Sequence, residues 1–131
     1  MVVSEVMTTR VVSVDMDDRL TLVKNILDKA PFRHLLVVED ELLQGIISDR
    51  DLLRCLSPFI GTDAESVRDK KTIDQRAHQV MTRSPITIEG TMKIRDALVL
   101  MLEHNIGCLP VIEKNKILGI FTLHDGIRAL L

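Results

Sequence analysis

Hydrophobic and polar positions follow two rhythms along this chain, and the whole pattern is written twice. The apolar alternation Val12 to Val14 predicts a short strand. After it Leu20, Val23, Ile26 and Leu27 recur at helical spacing and predict an amphipathic helix. Two apolar runs, His34 to Val38 and Leu42 to Ile47, flank the polar Glu39-Asp40-Glu41, which is a hairpin signature. A short helix over Asp49 to Cys55 closes the set. The second set runs Ile86 to Ile88, then Ile94, Ala97, Leu98 and Met101 at helical spacing. A hairpin, Cys108 to Ile112 and Lys116 to Phe121 around Glu113-Lys114-Asn115, and a helix Leu123 to Leu130 complete it. The predicted order is therefore β-α-β-β-α, twice.

The two sets are copies. Val6-Met7-Thr8 recurs as Val80-Met81-Thr82, an offset of 80 − 6 = 74. At that same offset Leu35, Val37 and Glu39 meet Leu109, Val111 and Glu113. Gly45-Ile46 meets Gly119-Ile120, and Asp51 and Arg54 meet Asp125 and Arg128. No gap is needed from Val6 to Leu56, and 11 of those 51 pairs are identical. A register held this long is a duplication. It divides the chain into a first repeat over 1–56, a connector over 57–79 and a second repeat over 80–131. The connector is rich in charge, with Pro58 and Gly61 near its start; it reads as an exposed loop whose second half, from Thr72, is open to helix.

A three-stranded unit of this size has little core of its own, and Leu35-Leu36-Val37-Val38 is apolar on both faces. One face is covered by the unit's helices and the other needs a partner sheet. The expectation is an α+β protein in which the two repeats pack sheet to sheet about a pseudo-twofold axis. Ligand clefts would then lie where the facing strands splay.

Composition narrows the functions available. The chain has 131 residues with 17 basic and 19 acidic side chains, a net charge of −2. No global positive field exists to hold nucleic acid. Trp and Tyr are absent and Phe occurs three times, so base-stacking platforms are scarce too. The longest apolar run, Ala97 to Leu102, is far too short to span a bilayer, and the start shows no secretory signal; a cytoplasmic location is expected. Cys55 and Cys108 suggest no disulfide framework.

The candidate chemistry also repeats. Ser48-Asp49-Arg50-Asp51 follows the third strand of the first repeat, and Thr122-Leu123-His124-Asp125 that of the second. A hydroxyl three residues before an acid at a strand-to-helix junction is close to a capping box, a purely structural device. The same atoms suit a ligand. A carboxylate accepts the hydroxyls of a ribose, while a hydroxyl, free helix-start amides and an adjacent cation suit phosphate. The two uses are compatible.

Taken together these residues resemble a family. Gly45-Ile46-Ile47-Ser48-x-x-Asp51 and Gly119-Ile120-Phe121-Thr122-x-x-Asp125 are similar to tandem CBS domains, the pair known as a Bateman module. The Val-Met-Thr openings and Ile106-Gly107-Cys108-Leu109-Pro110-Val111-Ile112 extend the likeness to all but the connector. The resemblance implies a regulatory sensor that binds an adenosine-containing ligand (AMP, ADP, ATP or an adenosyl relative) in inter-repeat clefts and modulates a partner protein. It implies a homodimer, no required cofactor and no chemistry of its own. A stand-alone pair is the expected kind, a group that includes proteins similar to acetoin-utilisation accessory proteins. By position, Asp51 and Asp125 match the ribose-binding acid and Ser48 and Thr122 its neighbouring hydroxyl. Arg50, His124, Arg33 and His34 are the phosphate candidates. Val11, Val12, Pro85, Ile86, Gly107 and Cys108 are the adenine-edge candidates. A ligand-free protein–protein interaction or assembly module is the alternative.

Other residues read as structural. His104 and Cys108 are four apart but lack further metal ligands, so no metal is expected. Met7, Met81, Met92 and Met101 read as core filling, and His78 as solvated. There is no P-loop or GxGxxG, and no nucleophile–base set is convincingly placed, so an enzyme is not expected. Leu22, Ile26, Ala97 and Met101 are the candidate apolar positions left for a second copy to cover.

Overall fold

The computed structural model describes residues 1–29, 33–56, 66–67 and 74–131. Most of the connector and Phe32 lie outside the described residues. The chain forms two compact units, one of Val12–Ser84 and one of Met1–Val11 with Pro85–Leu131. They do not cut the chain at the repeat boundaries of the sequence. Each repeat opens with a Val-Met-Thr segment that belongs to the other repeat's unit.

The first unit holds a four-stranded sheet in the order β1 (Ser13–Asp15), β2 (His34–Glu39), β3 (Leu42–Ser48), β4 (Thr82–Arg83). β1 runs parallel to β2, with Val14 opposite Val37; β3 and β4 are antiparallel to their neighbours, with Ile46 opposite Thr82. Between β1 and β2 lies α1 (Leu20–Lys29), whose Leu20 and Val23 are fully buried, as the spacing predicts. α2 (Asp49–Cys55) follows β3, and the one-turn α3 (Ala77–Val80) leads into β4. Their core gathers Val14, Leu20, Val23, Leu35, Val37, Ile47, Leu52, Ala77 and Met81.

The second unit repeats this plan at the offset of 74. β5 (Cys108–Glu113) and β6 (Lys116–Thr122) form the hairpin, between α4 (Ile94–His104) and α5 (Leu123–Leu130). The strand expected over Ile86 to Ile88 is reduced to a single parallel bridge, Ile88 to Val111, the counterpart of Val14 to Val37. The edge corresponding to β4 is likewise one antiparallel bridge, Thr8 to Ile120. Thr8 and Ile120 exchange both backbone hydrogen bonds at 2.9 Å. Ahead of Thr8, a 3-10 turn over Val3–Glu5 inserts Val3 fully into the core beside Phe121, Leu109 and Val111. Val3 N donates to Met92 O at 2.8 Å and Ser4 N to Gly90 O at 2.9 Å. The opening segment is therefore structural material of this unit.

Two glycines make room for the opening segments. A Cβ at Gly119 would lie 2.5 Å from Thr8 O, and one at Gly45 2.8 Å from Thr82 O and in collision with Met81. Both hairpins turn through two residues with positive φ, Asp40 and Glu41 (51° and 67°) and Lys114 and Asn115 (49° and 65°). That pair of left-handed residues matches strand twist, so the turns are tighter than the polar triplets suggested. α4 stops where Asn105 takes the left-handed conformation, φ 52°. Ala97 and Met101, expected as surplus apolar surface, are instead buried in the unit's own core; Leu22, Val99 and Leu102 are the exposed apolar residues of α1 and α4. No described helix is long and apolar enough to cross a membrane.

Candidate functional site

Each unit builds the same corner where its hairpin runs into its last helix. In the first unit the Ser48 hydroxyl accepts from Asp51 N at 3.1 Å, and Asp51 Oδ2 accepts from Ser48 N at 2.9 Å. In the second unit Asp125 N donates to Thr122 Oγ1 at 3.1 Å, and Thr122 N to Asp125 Oδ2 at 3.0 Å. Both are reciprocal capping boxes, so the structural reading of the tetrapeptides holds. Such a cap is worth about 1 kcal/mol and sets the acid against the positive end of the helix dipole. It spends one carboxylate oxygen on the backbone and leaves the other.

The hairpin register carries the preceding strand's first residue to the same corner. His34 pairs with Ser48 and Cys108 with Thr122. The residue before each also reaches the helix start: Arg33 O accepts from Asp49 N at 2.9 Å and Gly107 O from Leu123 N at 3.0 Å. The fold thus brings Arg33, His34, Ser48, Arg50 and Asp51 to one corner, and Gly107, Cys108, Thr122, His124 and Asp125 to the other. Arg33 and Arg50 are exposed and make no ion pair among the described residues.

Electrostatics differ between the corners. Burial holds the His34 imidazole below its ordinary pKa of 6.5, with Asp49 and Asp51 pulling it partly back and Arg33 opposing them. Burial, assisted by the charge of Asp125, pushes the Cys108 thiol up to about 12. One corner is rich in cations, and the other offers a neutral buried thiol with His124 exposed beside it.

The acids differ most. Asp51 is partly exposed, and its Oδ1 has no partner among the described residues. Asp125 is only 5% exposed, and the Thr8 hydroxyl donates to both its oxygens at 3.1 Å. Thr82, the counterpart of Thr8, is exposed and makes no such bond to Asp51. The expectation of two like acids rimming a crevice does not allow for this burial. Thr8 was legible only as part of a repeated tripeptide, because nothing local points its hydroxyl at a residue 117 positions away.

The adenine-edge candidates divide between the units. Val12 packs on the first core and its carbonyl accepts from Leu36 N at 3.1 Å. Ile86 packs on the second core, in the unit that also holds Val11 and Pro85. His104 is exposed and Cys108 is buried. Met81 and Met101 are buried and Met7 and Met92 pack against the second core, as core-filling residues do. His78 is half-buried, 3.9 Å from Asp17 and not fully solvated.

The CBS domain family model matches this chain twice, over 3–58 and 77–131. A CBS domain-containing protein of Dictyostelium discoideum is 31% identical over 98% of this chain and 90% of its own length. Among solved structures, CBSX2 in complex with AMP is 28% identical and superimposes with a TM-score of 0.80, covering 98% of this chain and 95% of that one. The CBS domain pair of protein MJ0100, in complex with 5′-methylthioadenosine and S-adenosyl-L-methionine, is 20% identical with a TM-score of 0.82, each chain covered completely, a likeness of fold.

Proposed function

The chain belongs to the CBS-domain family, and from that premise we propose that it is a regulatory module that binds an adenosine-containing ligand and modulates a partner protein. The ribose would be held by the acid of the strand–helix corner, with Asp51 or Asp125 accepting its hydroxyls. The phosphate would face the neighbouring hydroxyl of Ser48 or Thr122 and the side chains of Arg33, His34, Arg50 or His124. Val12 of the first unit, and Val11, Pro85, Ile86, Gly107 and Cys108 of the second, would supply apolar edges for adenine. The observation that carries the reading is the first corner: a carboxylate oxygen and two arginine side chains without partners among the described residues, and a hydroxyl, drawn together by one hairpin register. That the relative CBSX2 was solved with AMP supports the ligand class. Regulation then follows from population shift, since a ligand that prefers one arrangement of the chain favours it over others.

Calorimetry of the intact chain with AMP, ADP, ATP and 5′-methylthioadenosine tests this. Binding of at least one in the micromolar range is expected, lost when Asp51 and Asp125 are replaced together by Ala. No heat at millimolar concentration of any of the four would sink the reading.

A further inference from the structure

We propose that Thr8 and Asp125 form a latch that fastens the opening segment of the chain into the second unit, so that the Asp125 carboxylate is committed and a cis-diol ligand is left to the Asp51 corner. The ligand half of this statement rests on the function proposed above; the latch does not. Met1–Val11 joins its unit through the backbone bonds of Met1, Val3, Ser4 and Thr8 and the Val2–Lys93 bridge. Thr8 stands at the last of these anchors, where its backbone pairs with Ile120 and its hydroxyl spans both oxygens of Asp125. The acid is 5% exposed, and a buried carboxylate must be answered by donors. Thr122 N answers Oδ2, and Thr8 supplies the only other donor it has among the described residues. Asp125 thus gains its second partner only when the opening segment is seated. The first unit lacks this device. β4 is paired at both Thr82 and Arg83, and Asp51 keeps an oxygen without a partner among the described residues.

The coupling is read by hydrogen exchange in the intact chain, following the amides of Thr8 and Ile120. Thr8→Val should speed their exchange about tenfold or more, the range for losing a hydrogen bond to a charged group. In an Asp125→Ala background the same change should add little, while Thr8→Ser, which keeps the hydroxyl, should retain protection. The control pair, Thr82→Val with and without Asp51→Ala, should act additively on the β4 amides. Equal effects of Thr8→Val with and without Asp125→Ala would overturn the latch, as would Thr8→Ser behaving like Thr8→Val. Calorimetry with AMP reads the consequence: one site per chain, removed by Asp51→Ala. Two equal sites would show the Asp125 carboxylate to be available and overturn the proposal. No binding of AMP, ADP, ATP or 5′-methylthioadenosine, with coupling between Thr8 and Asp125 intact, would remove the nucleotide reading and leave the latch standing.

Discussion

The corner after β3 and the corner after β6 are built from the same four-residue pattern and meet different surroundings. Ser48 and Asp51 cap α2 just as Thr122 and Asp125 cap α5, within about 0.1 Å in the reciprocal bonds. The cap is a property of residues three apart, so duplication copied it faithfully. Around it the units diverged. The first keeps Arg33, His34 and Arg50 beside an acid with one oxygen unbonded among the described residues, whereas the second places Gly107 and Cys108 beside an acid that is buried and bonded to Thr8. Local structure was inherited and electrostatics was not. A pair of sequence-equivalent sites is therefore not a pair of functional equals.

The largest effect that sharpens this comparison is at the seat of the opening segments. Gly119→Ala should destabilise by about 1–3 kcal/mol, because the added methyl meets the backbone oxygen of Thr8. Gly45→Ala should cost less, since its methyl would lie 2.8 Å from the Thr82 backbone oxygen, against 2.5 Å from Thr8 at Gly119, and otherwise meets the flexible side chain of Met81. Urea unfolding of the two variants measures the difference, and a larger loss at Gly45 would reverse the ranking.

A smaller effect separates the hairpin turns. Glu41 sits at φ 67° where its counterpart Asn115 sits at 65°. Asn tolerates that region and Glu does not, so Glu41→Gly should stabilise by about 0.5–1 kcal/mol and Asn115→Gly should be close to neutral. Thermal denaturation followed by circular dichroism decides it.

The smallest effect is the pH response. His34 has its folded pKa below the unfolded 6.5, so the unfolded chain binds more protons around and below that pH. Its contribution favours the folded state above pH 6.5 and turns against it as the solution acidifies. His34→Gln should therefore flatten the fall in the urea midpoint between pH 7.5 and 5. Cys108 acts on the alkaline side. Its folded pKa near 12 lies above the usual 9.0, so its contribution is whole below pH 9 and is lost as pH rises toward 12. An unchanged acid slope in His34→Gln would show that the imidazole is not held in its uncharged form by the fold.

Much of this was legible from the chain alone. The helix over Leu123–Leu130, the hairpins and both capping boxes rest on interactions between residues three or four apart or across a tight turn, and those are written locally. The offset of 74 also announced that the junctions are equivalent. Tertiary structure alone decided which unit each Val-Met-Thr segment completes, that Ala97 and Met101 go inside, and that one of two identical acids is closed off by a hydroxyl 117 residues away. Spacing along a chain encodes which faces are apolar and which ends are capped. Which segment arrives to cover them is settled by packing, where burial and the need to pair every buried polar group select among contacts that no local pattern distinguishes.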